Sequence, residues 1–293
     1  MEETEERYSV KYIISVMKRK KNQEIWRRYA CLLEAEGLCC LEGRREDCMA
    51  DRSILDRAES KCTADDTLVL TDDDYVALCC EHEGIVCVGY CPPETQDLYF
   101  PHVRMVFESF EGMERQTLEQ FFRRRKGLPV WIAATARLCV RESLPGDFEM
   151  LRLMEQEAGW RFDVTETEEK YLSYLKYAYS FYGYGYWTVS LRETGEIVGW
   201  CGFKEWVPEK TDPAFRYMKM DNPVVRPEQP ELELGYLVSE KHRRKGIALE
   251  MCRMVLAYGF ETLDAGRIRV RIESSNHASL RLAEKLGFVN EPV

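Results

Sequence analysis

One stretch of the chain, LGYLVSEKHRRKGIA at residues 234–248, combines a strand, a basic turn and the start of a helix. The apolar run that ends at Val238 predicts the strand, and consecutive cations follow in the turn. Gly246 lets the backbone approach a ligand closely, and Ala248 leaves room beside it. Because the first N–H groups of a helix are unpaired and carry the positive end of its dipole, this turn is predicted to bind phosphate.

The surrounding sequence predicts alternating strands and helices. Strands are predicted at residues 137–141, 186–191, 197–203, 231–238 and 267–273. Helices are predicted at residues 145–157, 167–179, 248–263 and 278–286. A long polar insertion containing proline, residues 204–230, is predicted to be a functional or mobile loop, and its Trp206, Tyr217 and Met218 are hypothesised to form a lid.

Two motifs in this region resemble those of the GNAT acetyltransferases. Arg243-x-x-Gly246-x-Ala248 matches the R/Q-x-x-G-x-G/A motif that cradles the pyrophosphate of acetyl-CoA in that family. Asn276-x-x-Ser279, followed by LAEKLGF, is similar to the family's late N-x-x-S…EKLGF segment. The first motif follows a predicted strand and opens a predicted helix, as the family requires.

The resemblance covers about residues 136–290 and is strongest to the branch that contains ribosomal-protein N-acetyltransferases. It implies an α/β (α+β) fold with a mixed central sheet in which the strand at 231–238 splays from the strand at 267–273. It also implies acetyl-CoA as co-substrate, with Leu237, Val238 and Asn276 contacting the pantetheine arm. The pyrophosphate would lie on the turn formed by Arg243, Arg244, Lys245, Gly246, Ile247 and Ala248.

Acetyl transfer to an amine also needs a base, because a protonated amine is not nucleophilic. Glu231 and Glu233 share one face of their strand, and Glu233 lies nearer to the implied splay. Glu233 is therefore the candidate base, with a surface carboxylate as the alternative. The resemblance places Ser279 near the sulfur as the proton donor to the thiolate, with simple helix capping as the alternative.

The acceptor and the end of the chain leave alternatives open. The aromatic run at 181–187 either shapes an acceptor pocket or packs in the core. Members of the resembled family continue past the Gly-Phe with further strands, whereas here only residues 289–293 follow. The last strand is thus expected to be absent unless a partner chain or the N-terminal domain supplies it.

Two functions follow from this reading. The first is an acetyl-CoA-dependent N-acetyltransferase that acts on a protein N-terminus or a small amine by direct attack in a ternary complex. The second is a non-catalytic module for acyl-CoA binding, sensing or interaction. The expected partners are therefore acetyl-CoA and an amine acceptor, without membrane or nucleic acid, and a homodimer is a possible assembly.

Residues 1–135 are predicted to form a separate, small α/β domain in front of the domain at 136–293. Residues 8–42 fit a helix that carries the basic cluster Lys18–Lys21 on a solvated face, and residues 43–66 fit a loop. A strand, a helix and a strand follow over residues 67–90, which predicts a βαβ unit and a parallel sheet.

Within that unit, residues 67–110 resemble the later half of a haloacid dehalogenase-like domain, in which acidic residues after a strand hold magnesium. Asp72, Asp73 and Asp74 are the matching residues, and the alternative is that they only cap a helix. The DxDx[TV] nucleophile motif of that family is not found after an early apolar strand. Phosphatase chemistry is therefore not expected, and no metal site is predicted.

The composition sets the broad class. Of the 293 residues, 45% are hydrophobic and 31% charged, which is typical of a globular protein and excludes wholesale disorder. The net charge of −10 argues against a nucleic-acid footprint over the whole chain. The acidic start Met1–Glu6 and the lack of a long apolar run predict a cytoplasmic protein, and the twelve cysteines, without CxxC spacing, are predicted to be reduced and structural.

Overall fold

The computed structural model describes residues 9–49, 53–57, 61–95, 99–111, 114–208, 210 and 212–291. The chain divides into two compact units, residues 1–128 and 129–293. This division precedes the expected boundary at 135/136, because residues 131–134 form a strand that pairs with the next strand of the second unit. The acidic segment Met1–Glu6 and the expected helix start at Tyr8 lie outside the described residues.

The first unit is built on a parallel five-stranded sheet with the strand order β2-β1-β3-β4-β5. Its strands are β1 (Tyr12–Val16), β2 (Cys39–Glu42), β3 (Thr67–Thr71), β4 (Val86–Tyr90) and β5 (Val106–Phe107). Its helices are α1 (Lys20–Ala35), α2 (Arg45–Met49), α3 (Asp74–Glu83) and α4 (Arg115–Arg125). Neighbouring residues of β3, Leu68 and Val69, belong to different buried clusters, so the sheet is covered on both faces. The predicted parallel βαβ unit is confirmed.

The predicted helix over residues 8–42 is wrong at both ends, since residues 39–42 form β2, and the predicted loop at 43–66 contains α2. Residues 12–16, YIISV, form β1 between β2 and β3, and Ile13 and Ile14 are buried on opposite faces of the sheet. A strand buried on both faces shows no alternation, so its apolar residues also fit helical spacing. Lys18 and Arg19 consequently lie in the turn before α1 rather than on a helix face.

The carboxylate of Asp72 ties the end of β3 to the turn after β1. Asp72 is 1% exposed. It accepts hydrogen bonds from the backbone N–H of Lys18 at 2.5 Å, the N–H of Arg19 at 3.1 Å and the side-chain amide of Asn22 at 2.6 Å. Both carboxylate oxygens are thus used by donors of the protein itself.

The next two aspartates also have protein partners. Asp73 caps α3 by accepting a hydrogen bond from the N–H of Tyr75 at 3.1 Å, so the capping alternative is confirmed for this residue. Asp74 pairs with His102, with 2.7 Å between Oδ2 and Nδ1. Among the described residues, no group of three or more His, Cys, Asp or Glu side chains is arranged to hold a metal ion. The resemblance of residues 67–110 to a haloacid dehalogenase-like half-domain stays a prediction.

We expect Asp72→Ala to destabilise the first unit by about 3 kcal/mol, because it leaves buried donors without an acceptor. The measurement is amide hydrogen exchange of the full chain under native conditions, read by mass spectrometry. Exchange should accelerate in residues 12–35 and stay unchanged in residues 231–261. Asp65→Ala, at an exposed carboxylate, is the control and should shift neither region. Equal protection in both variants would contradict a structural role for Asp72.

The second unit is built on an eight-stranded mixed sheet with the order β13-β10-β12-β11-β9-β8-β7-β6. Its strands are β6 (Trp131–Ala134), β7 (Leu138–Glu142), β8 (Tyr186–Leu191), β9 (Ile197–Glu205), β10 (Phe215–Asp221), β11 (Glu231–Val238), β12 (Arg267–Glu273) and β13 (Val289–Asn290). Its helices are α5 (Phe148–Ala158), α6 (Glu168–Phe181), α7 (Ile247–Glu261) and α8 (His277–Leu286). Among the described strands of this sheet, only β11 and β12 pair in parallel, so the predicted mixed sheet is confirmed.

The insertion at residues 204–230 contains a strand that the sequence reading missed. β10 pairs antiparallel with β12 along residues 215–221 and with β13 on its other side. The position beside β12 is therefore filled from within the insertion, which corrects the expectation that a partner chain or the first domain must supply a strand. The sequence FRYMKMD alternates only in part, because Tyr217 and Met218 are adjacent, and Pro213 and Pro223 close to its ends favoured a loop.

The cysteines are present as free thiols. No disulfide links any of the twelve cysteines. Cys201 and Cys252 meet in the core of the second unit with 3.9 Å between their sulfur atoms, and burial raises the pKa of Cys201. In the part of the chain that the structure describes, no helix has the length and apolar character needed to cross a bilayer.

Candidate functional site

Strands β11 and β12 diverge along their length. They pair only from Glu231 to Glu233, against residues 267–269. β11 stays paired with β9 on its other side as far as Val238. From Leu234 onward, the edge of β11 that faces β12 therefore has no strand partner, and its peptide groups are available to a ligand. The splay that the resemblance implied is confirmed.

The gap between the two strands opens into a cavity of about 1330 Å³. The cavity brings together most of the residues that the sequence singled out. Those that line it are Glu233, Leu237, Val238, Arg243, Arg244, Gly246, Ile247, Ala248, Asn276 and Ser279. Lys245 is not among the lining residues, so its expected contact with the pyrophosphate has no support from the cavity.

The turn before α7 has the backbone geometry of an anion site. Gly246 adopts φ 80° at the helix start, and Arg244 also has a positive φ, 60°. The first helical hydrogen bond runs from the N–H of Glu250 to the carbonyl of Gly246 at 3.1 Å. The preceding amides, residues 247–249, consequently project from the helix start. Non-glycine residues with positive φ are strained and cluster at functional sites.

Arg137, which directly precedes β7, contacts the turn and stabilises it. Its Nη1 donates to the carbonyl of Lys245 at 3.3 Å, and its Nε donates to the Glu250 carboxylate at 2.9 Å. Thr135 adds a hydrogen bond to the other oxygen of Glu250 at 2.5 Å. Sequence reasoning missed Arg137 because it precedes the turn by more than a hundred residues. Lys245 thus contributes a carbonyl to the support of the turn.

The start of α8 presents two side chains to the cavity. Asn276 caps the helix, since its Oδ1 accepts the N–H of Ser279 at 3.1 Å. The N-cap of α8 is therefore Asn276 rather than Ser279, and the role of the Ser279 hydroxyl as a proton donor stays a prediction. Burial raises the pKa of the nearby Tyr236, and the Ser279 side chain offsets part of this increase. Tyr236 stays protonated near neutral pH, and sequence reasoning missed it although it lies in the predicted splay.

Glu233 lies at the inner end of the gap, at the last paired position of β11 and β12. Its side chain is 14% exposed. Lys204 Nζ lies 3.3 Å from one carboxylate oxygen and Arg271 Nε lies 3.9 Å from the other. Glu233 is therefore a largely buried, ion-paired carboxylate that lines the cavity, and its role as a base stays a prediction. Glu231, on the same face, does not line the cavity and pairs with Arg269 instead.

Aromatic side chains form part of the cavity wall. They come from the loop before α6, from α6, from the turn after α6 and from the start of β8, and they are Trp160, Phe162, Tyr174, Tyr177, Tyr182, Tyr184 and Tyr186. Within the aromatic run at 181–187, Phe181 is 79% exposed and Trp187 is fully buried, and neither lines the cavity. The run therefore divides between cavity-lining and buried side chains, and its part in an acceptor pocket stays a prediction.

The hypothesised lid in the insertion is wrong. Trp206, Tyr217 and Met218 do not line the cavity. Trp206 and Tyr217 pack edge to face with 6.5 Å between ring centroids, and Met218 is buried in the core. Pairing of β10 with β12 fixes Tyr217 and Met218 in the sheet, and from β10 only Phe215 reaches the cavity.

The residues that build this cavity fall within a known family. Residues 137–289, just over half of the chain, match the family model of the acetyltransferase (GNAT) domain. The chain belongs to the GNAT acetyltransferase family. The β11–β12 gap, the turn at Gly246 and the start of α8 are thus parts of its GNAT domain.

Several curated proteins are similar to part of this GNAT domain. YkkB of Bacillus subtilis, which is uncharacterized, is 32% identical over 107 residues, 36% of this chain and 52% of that protein. YoaA of the same organism, an uncharacterized N-acetyltransferase, is 30% identical over 107 residues, 36% of this chain and 50% of that protein. The chain thus spans about half the length of these relatives. YdaF of Bacillus subtilis, a putative ribosomal N-acetyltransferase, is 32% identical over 59 residues, 20% of this chain and 32% of that protein.

Solved structures show the same partial likeness. An acetyltransferase from Agrobacterium tumefaciens is 25% identical with a TM-score of 0.40, covering 55% of this chain and 85% of that one. The protein yncA from Salmonella typhimurium, a putative acetyltransferase with its cofactor acetyl-CoA, is 18% identical with a TM-score of 0.39. That match covers 53% of this chain and 80% of the other.

Proposed function

We propose that the GNAT domain transfers the acetyl group of acetyl-CoA to a primary amine by direct attack in a ternary complex. The observation that carries this proposal is one cavity that joins the start of α7 to Glu233 along the open edge of β11. One end offers backbone amides to an anion. The other end offers a carboxylate beside aromatic walls.

The residues at the turn fit the pyrophosphate of acetyl-CoA. The positive φ of Gly246 brings the backbone to the cavity surface, and the helix dipole favours an anion there. Arg243 and Arg244 are exposed next to this backbone and add positive charge. Leu237 and Val238 offer peptide groups to the pantetheine arm, and Asn276 offers its side-chain N–H groups because its oxygen is engaged in capping.

The inner end of the gap supplies the proton transfers. Glu233 accepts a proton from the ammonium form of the acceptor, directly or through a water, and frees the nitrogen lone pair. The nitrogen then forms a bond with the thioester carbonyl carbon, the carbon–sulfur bond breaks, and the nitrogen releases one further proton to water to become the amide. The hydroxyl of Ser279 or Tyr236 donates a proton to the departing thiolate and regains one from water. The products are the N-acetylated amine and CoA.

The acceptor side is open enough for a chain end or a small amine. Trp160, Tyr177 and Tyr182 are 48%, 59% and 54% exposed, so the aromatic wall borders solvent. A protein N-terminus is one acceptor class that we propose, and the name of the relative YdaF supports it. A small primary amine is the other.

When the full chain receives a suitable amine, we expect the rate of CoA thiol release from acetyl-CoA to rise at least about tenfold over background. The reason is that the base and the acid of the site accelerate only the transfer of the acetyl group to an amine. The panel contains peptides with a free N-terminus, a polyamine and an aminoglycoside. Matched peptides with an acetylated N-terminus are the control and should give no increase. Binding of acetyl-CoA without transfer to any amine would favour the non-catalytic alternative.

A further inference from the structure

Tyr186 lies in register with two glycines on neighbouring strands of the sheet. It pairs with Gly202 of β9, and Gly202 pairs with Gly235 of β11. In-register neighbours share a face, and neither glycine has a side chain, so the Tyr186 ring extends across the sheet. A Cβ placed on Gly235 would lie 2.7 Å from Cε1 and 2.8 Å from the hydroxyl oxygen of Tyr186. The end of this ring therefore occupies the space directly above Gly235.

Gly235 lies at the inner end of the gap. The gap begins at Leu234, directly after the last pair of β11 and β12, and leads outward past Val238 to the turn at Gly246. A thioester whose pyrophosphate lies on that turn runs along the β11 edge toward the closed end. Its acyl group then lies beside Gly235, two residues from Glu233 and on the same face.

The ring of Tyr186 is held in place by its neighbours. It is 6% exposed, and its centroid lies 4.9 Å from those of Phe162 and Trp200. Among the described residues, no hydrogen-bond partner is found for its hydroxyl, and Tyr186 lines the cavity. Burial raises the pKa of this phenol, so it is neutral. The ring is thus a fixed wall at the place where an acyl chain would end.

We propose that Tyr186 limits the acyl chain that this domain accepts to acetyl. The inference rests on the proposed function, because it takes an acyl-CoA in the gap as given. The ring fills the volume that the additional carbons of a propionyl or butyryl group would need. Size, rather than the hydroxyl, is the selecting property, so a phenylalanine at this position should select in the same way.

The test measures binding of acetyl-, propionyl- and butyryl-CoA to the full chain by calorimetry. The parent is expected to bind acetyl-CoA at least about tenfold tighter than butyryl-CoA, because overpacking at a fixed wall is unfavourable. In Tyr186→Ala and Tyr186→Leu, whose folding is checked by circular dichroism, the ratio should fall to about one. Tyr186→Phe keeps the ring and should keep the ratio, as should Phe181→Ala, which removes an exposed ring outside the cavity.

The outcomes separate this inference from the proposed function. A parent that binds no acyl-CoA overturns the proposed function and the inference together. A parent that binds acetyl- and butyryl-CoA equally well overturns the inference alone. An unchanged ratio in a folded Tyr186→Ala or Tyr186→Leu variant also overturns it, and loss of the ratio in Tyr186→Phe would assign selection to the hydroxyl instead.

Discussion

Gly246→Glu should weaken acetyl-CoA binding to the full chain by at least about 100-fold, measured by titration calorimetry. A glutamate at φ 80° strains the backbone and places negative charge where the α7 amides and the helix dipole favour an anion. Space is not the obstacle, since the nearest atom to a Cβ at Gly246 is a guanidinium nitrogen of Arg137 at 3.7 Å. Gly246→Ala, which adds strain without charge, should therefore cost only about tenfold.

A matched control separates this effect from general damage to the fold. Gly287 ends α8 with φ 101° and does not line the cavity. Gly287→Glu thus carries the same substitution at a positive φ in the same unit, and it should bind acetyl-CoA like the parent. Equal binding by the parent and by a folded Gly246→Glu variant would show that the pyrophosphate does not lie on this turn.

Helices and strands could be predicted wherever the local pattern of apolar and polar residues defines them. β11 and β12 were predicted with the observed bounds, because each run is bordered by a clear change in polarity or by a glycine. β1 was not predictable by periodicity, since burial on both faces removes the alternation that distinguishes a strand from a helix. β10 was missed because its strand character depends on pairing with β12, which follows it by more than forty residues.

The residues of the candidate site also differ in whether the local sequence predicts their role. The turn at Gly246 could be predicted because its chemistry is contiguous in sequence. Arg137, Tyr186 and Tyr236 could not be assigned roles, because their contributions come from tertiary contact and strand register. Tyr186 lies beside its two glycines only when β8, β9 and β11 pair in the observed register. A shift of one residue in the register of β8 would move the ring to the opposite face of the sheet.

Glu233→Gln should lower kcat for amine acetylation by about 100-fold or more, the range for loss of a general base. Glutamine keeps the size of the side chain but cannot take a proton from the ammonium group. The affinity for acetyl-CoA should stay within about twofold, because Glu233 lies at the opposite end of the cavity from the turn. The rate deficit should shrink as pH rises through the pKa of the acceptor, about 8 for a peptide N-terminus, since the amine then arrives deprotonated.

Glu231→Gln provides the comparison that makes this result specific. Glu231 has the same side chain on the same face of β11, but it pairs with Arg267 at 3.2 Å and with Arg269, outside the cavity lining. Its loss should change kcat by no more than about twofold, as for a partly exposed ion pair. If both variants lose activity equally at every pH, the effect comes from the strand edge rather than from a base. A deficit confined to Glu233→Gln that closes at high pH assigns the proton transfer to this carboxylate.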